Sequence, residues 1–380
     1  MPARSRSRNL RLTVTGSGYD SLGSPQLQFY SVQEGPTEEC HDFVGNRAGA
    51  NGFDKRTNDR TFPYFHGTWI LGGVLRIQLN QLPAYSMNPE APDPLTNYGT
   101  LSALQLNNLA WKVLADTNPN APDVSLPTFF GELKDLPSLV RDWGGDLLKK
   151  VAKGHLSWRW AVKPMMGDIR KLCDFSENIE RRYRELEHLR DGNGLKRRVG
   201  LGSDNSVGAW TSPSVINSNY ITVNARSRTT HQMKMWGTVC YKVAPGFTIP
   251  RSYSPELLSL ARRLTYGITS HELLATAWEL TPWSWFADWF LGIGDTIAAT
   301  NNTVPLTRTR PCVMRTLSAE KEFEITNLPT ALFSYTGRPW GKRTRLERYV
   351  VAPTLPFSLS LPLFDGGKWS VLASLAALRK

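Results

Sequence analysis

Hydrophobic periodicity switches back and forth along the 380 residues, and this alternation restricts the fold more than any other feature of the sequence. Residues 1–100 hold short apolar runs at Leu10 to Val14, Leu27 to Val32 and Trp69 to Leu79, separated by turn-rich stretches such as GNRAGANGFD at 45–54. LRIQLNQL at 75–82 alternates apolar with polar side chains, the pattern of a half-buried strand. From residue 101 the spacing becomes three and four. Leu101, Leu104, Leu109, Val113 and Leu114 mark one helix, and the run from Phe129 to Val151 marks a second. A third is predicted from about Met166 to Leu189, with Ile179, Tyr183 and Leu186 on its buried side and Gly192 and Gly194 ending it. Strand chemistry returns over 200–250, where YITVNARSRTTHQMKMWGTVCYKV is dense in β-branched and aromatic residues. Helices follow from about Pro255 and within 271–300. TRTRPCVMRTL, EKEFEIT and RTRLERYVVA are predicted strands within 303–361, and Gly366 to Lys380 closes the chain as a helix.

Segments that take turns in this way fold together rather than as separate beads. The expected class is α+β, a helix bundle built from interleaved sequence segments and joined to an antiparallel β-sheet region. The β region would comprise 1–100 with 200–254 and 301–365, and the α-helical region 101–199 with 255–300 and 366–380.

With 41% hydrophobic residues and 13 Trp, the chain can build a sizeable core. Its formal net charge of +12 favours a polyanionic partner, nucleic acid first and an anionic membrane surface second. Cys40, Cys173, Cys240 and Cys312 are far apart and form no CxxC pair, which points to reduced thiols rather than a disulfide framework or zinc site. No apolar stretch of adequate length follows the charged N-terminus MPARSRSRNLRL, so a chain made in the cytoplasm is expected. The most apolar region, Leu273 to Ile297, is interrupted by Glu279, Pro282, Asp288 and Asp295, which argues against a membrane span.

Enzymatic signatures do not emerge. The six histidines make no HExxH pair or recognisable metal spacing, and neither a GxSxG elbow nor a phosphate loop is present. GLGSDNSVG at 200–208 reads as a loop with no helix after it, so a dinucleotide fingerprint does not apply. The expectation is a non-enzyme without metal or cofactor.

Basic residues gather in places. From 181 to 198 there are seven (Arg181, Arg182, Arg184, Arg190, Lys196, Arg197, Arg198) against three acidic, at the end of a predicted helix and in the loop beyond it. Lys149, Lys150 and Lys153 end the preceding helix. The last eighty residues hold twelve basic against five acidic, with Arg338, Lys342, Arg343, Arg345 and Arg348 around Trp340. Guanidiniums bind phosphate in a fork and a neighbouring aromatic can stack on an unpaired base, so these clusters are the candidate nucleic-acid contacts. The plainer reading of each is a solvated face that keeps the chain soluble.

Three segments carry a family likeness. GITSHELLATAWELTPWSWFADWFLGIGDTIAA, from Gly267 to Ala299, contains W-E-x-x-P-W-S-W-x-x-D-W at Trp278, Glu279, Pro282, Trp283, Ser284, Trp285, Asp288 and Trp289, with Gly292 and Gly294 after it. LSWRWAVKPMMGDIRKL at 156–172 adds Trp160, Pro164, Met166, Asp168 and Ile169, with Met165 where the family has Leu. PFSLSLPLFDGGKWSVLASLAALRK gives a proline-flanked strand and a short apolar helix. Together, over about a fifth of the chain, these resemble the maturation proteins of single-stranded RNA bacteriophages, the levivirus family. The tryptophans of the first motif are read as packing the bundle, and Glu279 and Asp288 as buried carboxylates with basic partners such as Arg159 or Arg170, rather than as catalytic groups.

The resemblance implies an elongated protein, one copy per particle, that takes the place of a coat-protein dimer in the shell. Its helical region would face the RNA and its β region would project toward the host. It would bind structured genomic single-stranded RNA, including the 3′ region, contact the coat protein, attach to a host pilus, and pass with the genome into the bacterial cytoplasm. A cellular RNA-binding protein without a capsid role is the alternative, as is a phage lysis effector that inhibits a cell-wall enzyme.

Overall fold

The computed structural model describes residues 3–28, 32–43, 51–71, 75–83, 89–123, 125, 174–192, 194–218, 221–269, 275–276, 293–327 and 333–354. The tryptophan motif from Trp278 to Trp289, the lysines at 149, 150 and 153, and the expected helices over 129–151 and 366–380 lie outside these residues. The architecture is mixed, with strands predominating over helices in antiparallel sheets. Two compact units divide the chain, one of Met1–Ser102, Gly200–Trp236 and Cys312–Val350, the other of Ala103–Val199, Gly237–Pro311 and Val351–Lys380.

In the first unit, β1 (Ala3–Asn9) opens the edge of a sheet that continues through β6 (Thr37–Phe43), β7 (Phe53–Thr61), β16 (Trp340–Val350) and β14 (Cys312–Asn327). These ladders are antiparallel throughout. β14 passes to β12 (Ile221–Val243), which also pairs with β10 (Leu195–Val207), β11 (Ser214–Ser218) and β13 (Leu306–Arg308). A second sheet orders β15 (Phe333–Thr336), β8 (Tyr64–Leu71), β9 (Leu75–Pro83), β3 (Ser17–Asp20) and β4 (Pro25–Gln28). A small ladder joins β2 (Leu12–Val14) to β5 (Val32–Glu34). The alternation at 75–82 is therefore strand β9, as its period predicts.

Two sequence expectations change. Residues 195–207 are read from sequence as loop, because LKRRVGLGSDNSV carries three glycine or asparagine breakers and little apolar content; the structure makes them strand β10. Its ladder with β12 supplies the hydrogen bonds that a solvated loop would take from water, so tertiary pairing overrides weak propensity. Likewise TRTRPCVMRTL and EKEFEIT are not two strands: residues 312–327 run as the single strand β14.

The second unit carries α2 (Ala103–Thr117), α3 (Phe175–Arg190), α4 (Pro255–Tyr266) and α5 (Ile293–Thr300), after the short α1 (Leu95–Tyr98) of the first unit. Its core joins Trp111 and Leu114 of α2, Ile179, Leu186 and Leu189 of α3, Leu257, Ala261 and Leu264 of α4, Ala299 of α5, and Val239 and Tyr241 of β12. α4 is fully specified by its ends. The Ser254 hydroxyl accepts from the Leu257 N–H at 3.1 Å, Pro255 fits the first turn, and Gly267 closes the helix with φ of 64°. Where α2 crosses β12, a Cβ on Gly237 would run into the methyl groups of Val113, so the helix sits directly on the strand backbone. A buried asparagine clasp fastens two turns: Asn118 donates to the carbonyls of Ala298 and Asn301 at 2.8 Å, and Asn120 both accepts from the Val304 N–H at 2.8 Å and donates to its carbonyl at 3.1 Å. Such groups are stable inside only because each is paired.

Candidate nucleic-acid interface

The cluster at 181–198 does not form one basic surface. On α3, helical geometry turns Ile179, Arg182, Leu186 and Leu189 inward and Arg181, Arg184 and His188 outward. Arg182 is 4% exposed. Its guanidinium donates to the carbonyls of Pro119 at 2.6 Å and Ala121 at 2.8 Å, and pairs with Asp123 and Glu185, both at 3.2 Å. It is the buried anchor of the 119–123 turn, with no freedom to meet a phosphate. Arg181 is 56% exposed beside Asp123 at 2.5 Å, and Arg184 is 73% exposed with Glu180 one turn back. An open groove runs between Glu180, Arg181, Arg184 and His188 of α3 and Leu195 of β10.

β10 divides the rest by its period of two. Leu195, Arg197 and Val199 are half-buried, and Arg197 reaches Glu185 of α3 at 2.5 Å. Lys196 and Arg198 are exposed and rise from the opposite face of the strand. Six of the seven basic residues thus split into inner anchors, a helix-borne outer stripe and a strand-borne pair facing elsewhere, and the seventh, Arg190, is held by Asp191 at 2.9 Å and by the Ser252 hydroxyl.

The 338–348 cluster is divided in the same manner. Register places Trp340 opposite Glu322 and Lys342 opposite Glu320 on one face, while Arg343, Arg345 and Glu347 share the other. Arg338 is 61% exposed and bound to Glu322. The Trp340 Nε1–H donates to Glu320 at 2.5 Å, and Lys342 stands 3.8 Å from the same carboxylate. On the opposite face Arg343 binds Glu90. Arg345 bridges Asp54 at 3.2 Å and Glu347 at 2.8 Å. Glu347 in turn holds Arg315, which is 1% exposed and donates to the Gly99 carbonyl at 3.0 Å. Arg345 is consequently part of a charged framework inside the sheet, where breaking one partner would strand the other.

Carboxylates tune this network. Burial opposes ionisation of Glu322, but hydrogen bonds from Arg228 and Arg338 outweigh it and hold its carboxyl below the usual carboxylate range. Glu90 behaves alike: burial raises it, and Arg343 with Asn58 brings it down on balance.

Other cationic sites are not apparent from residue counts. Arg4, Arg6 and Arg8 alternate along the exposed edge strand β1, and Arg4 and Arg6 both hold Asp42, at 2.7 and 3.0 Å. Their signal in the sequence is the R-x-R-x-R spacing. Arg226 and Arg228 of β12 lie against the ring of Trp210. Backbone pairing between 208–211 and 227–229 brings those three together. Among the described residues, no group of three His, Cys, Asp or Glu could hold a metal ion, and no helix is long and apolar enough to cross a membrane.

An arginine that gives one edge to a carboxylate keeps other N–H donors, so exposed ion-paired arginines such as Arg184 and Arg338 remain able to take a phosphate oxygen. What the arrangement offers is exposed cations set on rigid elements, spread over several faces.

No family model matches the chain. It is similar to the maturation protein A2 of Qbeta virus strain MX1, 25% identical over 169 residues, and to the maturation protein A2 of Escherichia virus Qbeta, 26% identical over 174 residues. In each case the match takes in 44% of this chain and 37% of the relative, so the chain spans little more than a third of the curated proteins it matches. The likeness read from the tryptophan-rich motif is therefore found again by direct comparison.

Proposed function

We propose that this chain serves as the maturation component of a single-stranded RNA phage particle. One copy completes the capsid, holds the genomic RNA through exposed cations, attaches the particle to a host pilus and accompanies the genome into the cell. The observation that carries the RNA assignment is the set of arginines and lysines presented outward from folded elements: Arg181 and Arg184 on α3, Lys196 and Arg198 on β10, and Arg338 beside β16. The similarity to the A2 maturation proteins supports the virion context.

In this reading helices from distant segments build a bundle that faces RNA. The regions 1–100, 200–254 and 301–365 form the outward part, whose loops within 16–70 or 200–235 meet the pilus, while its cations at Arg338, Lys342 and Arg343 are directed to RNA. The RNA is structured and contacted chiefly at phosphates, which position it, with few base contacts to specify sequence. Lys149, Lys150 and Lys153 belong to the same set by sequence, with Lys342 and Arg343 as half-exposed members. Arg182, Arg197 and Arg345 serve the frame instead, because their guanidiniums are already committed inside it.

The test is particle production with the chain carrying R181E, R184E, K196E and R198E. Genome packaging is expected to fall about tenfold or more with the fold retained, and R181Q, R184Q, K196Q and R198Q, which remove the charges without setting a carboxylate against Asp123 or Glu180, should show the same direction of loss. Normal packaging and nuclease protection of the RNA would overturn the assignment.

A further inference from the structure

Trp210 is only half-buried, and the guanidinium carbons of Arg226 and Arg228 lie 5.0 and 4.6 Å from the centroid of its ring. Arg226 and Arg228 are two apart on β12 and so rise from one face of that strand. Both guanidiniums lie against the indole, which keeps part of its surface in solvent. The arginines are themselves fixed, Arg226 by Glu324 at 2.8 Å and Arg228 by Glu322, which Arg338 also holds.

The segment that carries Trp210 is fastened on both sides of it. The Gly208 N–H donates to the Thr229 carbonyl at 2.9 Å, and a Cβ on Gly208 would meet that same oxygen at 2.9 Å, so the approach suits glycine. The Thr211 N–H donates to the Ser227 carbonyl at 2.9 Å, and the Thr211 hydroxyl accepts from the Ser227 N–H at 3.0 Å. An indole on an exposed segment has been given a rigid seat, a cationic backing and partial exposure to solvent.

We infer that Trp210 is a stacking platform for a single unpaired base of RNA, with the solvent-facing guanidiniums of Arg226 and Arg338 meeting the adjoining phosphates. This rests on the RNA-binding reading above, names the form of RNA that this site takes, and assigns the segment around Trp210 to RNA rather than to the pilus. Base stacking on an aromatic face is tolerant of sequence and needs an unstacked nucleotide, which a continuous duplex does not offer. The surroundings favour RNA over a protein anchor: the rim is arginine and glutamate, whereas a protein hot spot seats its aromatic in a desolvated apolar pocket.

The experiment compares the full chain with W210A and W210F on two labelled RNAs, an unstructured strand of about ten nucleotides, within the range one such site covers, and a hairpin of similar length. W210A is expected to weaken the unstructured strand about tenfold and leave the hairpin unchanged, and W210F to stay within about twofold. Unchanged single-strand affinity in W210A, with the hairpin still bound, overturns the platform and leaves the RNA-binding reading standing. Failure of the wild-type chain to bind either RNA overturns both. Should W210A unfold, a bromouridine-substituted strand crosslinked to the wild-type chain decides the matter: a crosslink mapped to residue 210 supports the platform, and crosslinks confined to other residues overturn it. Loss of coat-protein association in W210A, with RNA affinity intact, would make the site a protein contact and likewise overturn the inference.

Discussion

Arg182 and Arg184 are neighbours in the sequence and opposites in the fold. A separation of two residues turns them to different sides of α3, so one guanidinium satisfies buried carbonyls and the other stands in water. Residue type and local charge density say nothing about that choice; helical phase does. Glu322 raises a second question at this scale, because its carboxyl is held below its ordinary range by two arginines. A folded-state pKa below the unfolded value of about 4.3 means stability that is present above the unfolded value and lost as pH falls through the folded one. E322Q is therefore expected to be less stable than wild type near pH 6, with the gap closing as pH falls below the unfolded value, as urea unfolding at each pH would read. A gap that stays constant over that interval would show that Arg228 and Arg338 do not favour the ionised carboxyl.

At the scale of elements, the tightest contact is the crossing of α2 over β12. The atoms nearest a Cβ at Gly237 all belong to the Val113 side chain, so the space is occupied by one side chain and not by backbone. G237A is expected to cost about 1–3 kcal/mol or more by overpacking. V113A alone leaves a cavity and costs about 2 kcal/mol. The double variant G237A/V113A should recover much of the first loss, because the new methyl enters the space the valine vacates; thermal or denaturant midpoints of the three variants form the cycle. Additive losses would place the strain elsewhere. The ends of α4 are legible in the sequence, since Ser254, Pro255 and Gly267 act within a turn of the helix they bound. The strand β10 is not, since its stability comes from a partner distant in sequence.

For the whole molecule, the proposed RNA binding turns on how many cations can reach phosphates at once. The net charge of +12 overstates this, because exposed arginines in both units share their charge with carboxylates. If about four phosphates are neutralised on structured RNA, the logarithm of the binding constant should fall with the logarithm of salt concentration at a slope of about −3 to −4. Removing two of those contacts with K196E and R198E should reduce the slope by about two, measured by titration at several salt concentrations. An unchanged slope would remove Lys196 and Arg198 from the interface.

Residue order and spacing settle what is local: the alternation of β9, the inward faces of α3 and α4, the caps of α4, the glycine stops at Gly192 and Gly267, and a tryptophan spacing particular enough to show a family likeness. These depend on interactions within a few residues, which spacing records. Which cations remain available is settled only in three dimensions. Arg343 meets Glu90 across 253 residues of chain, Arg315 meets the Gly99 carbonyl across 216, and Trp210 finds its arginines only because its segment is bonded to β12. Strand register and helix packing choose such partners, and a count of basic residues along a sequence carries neither.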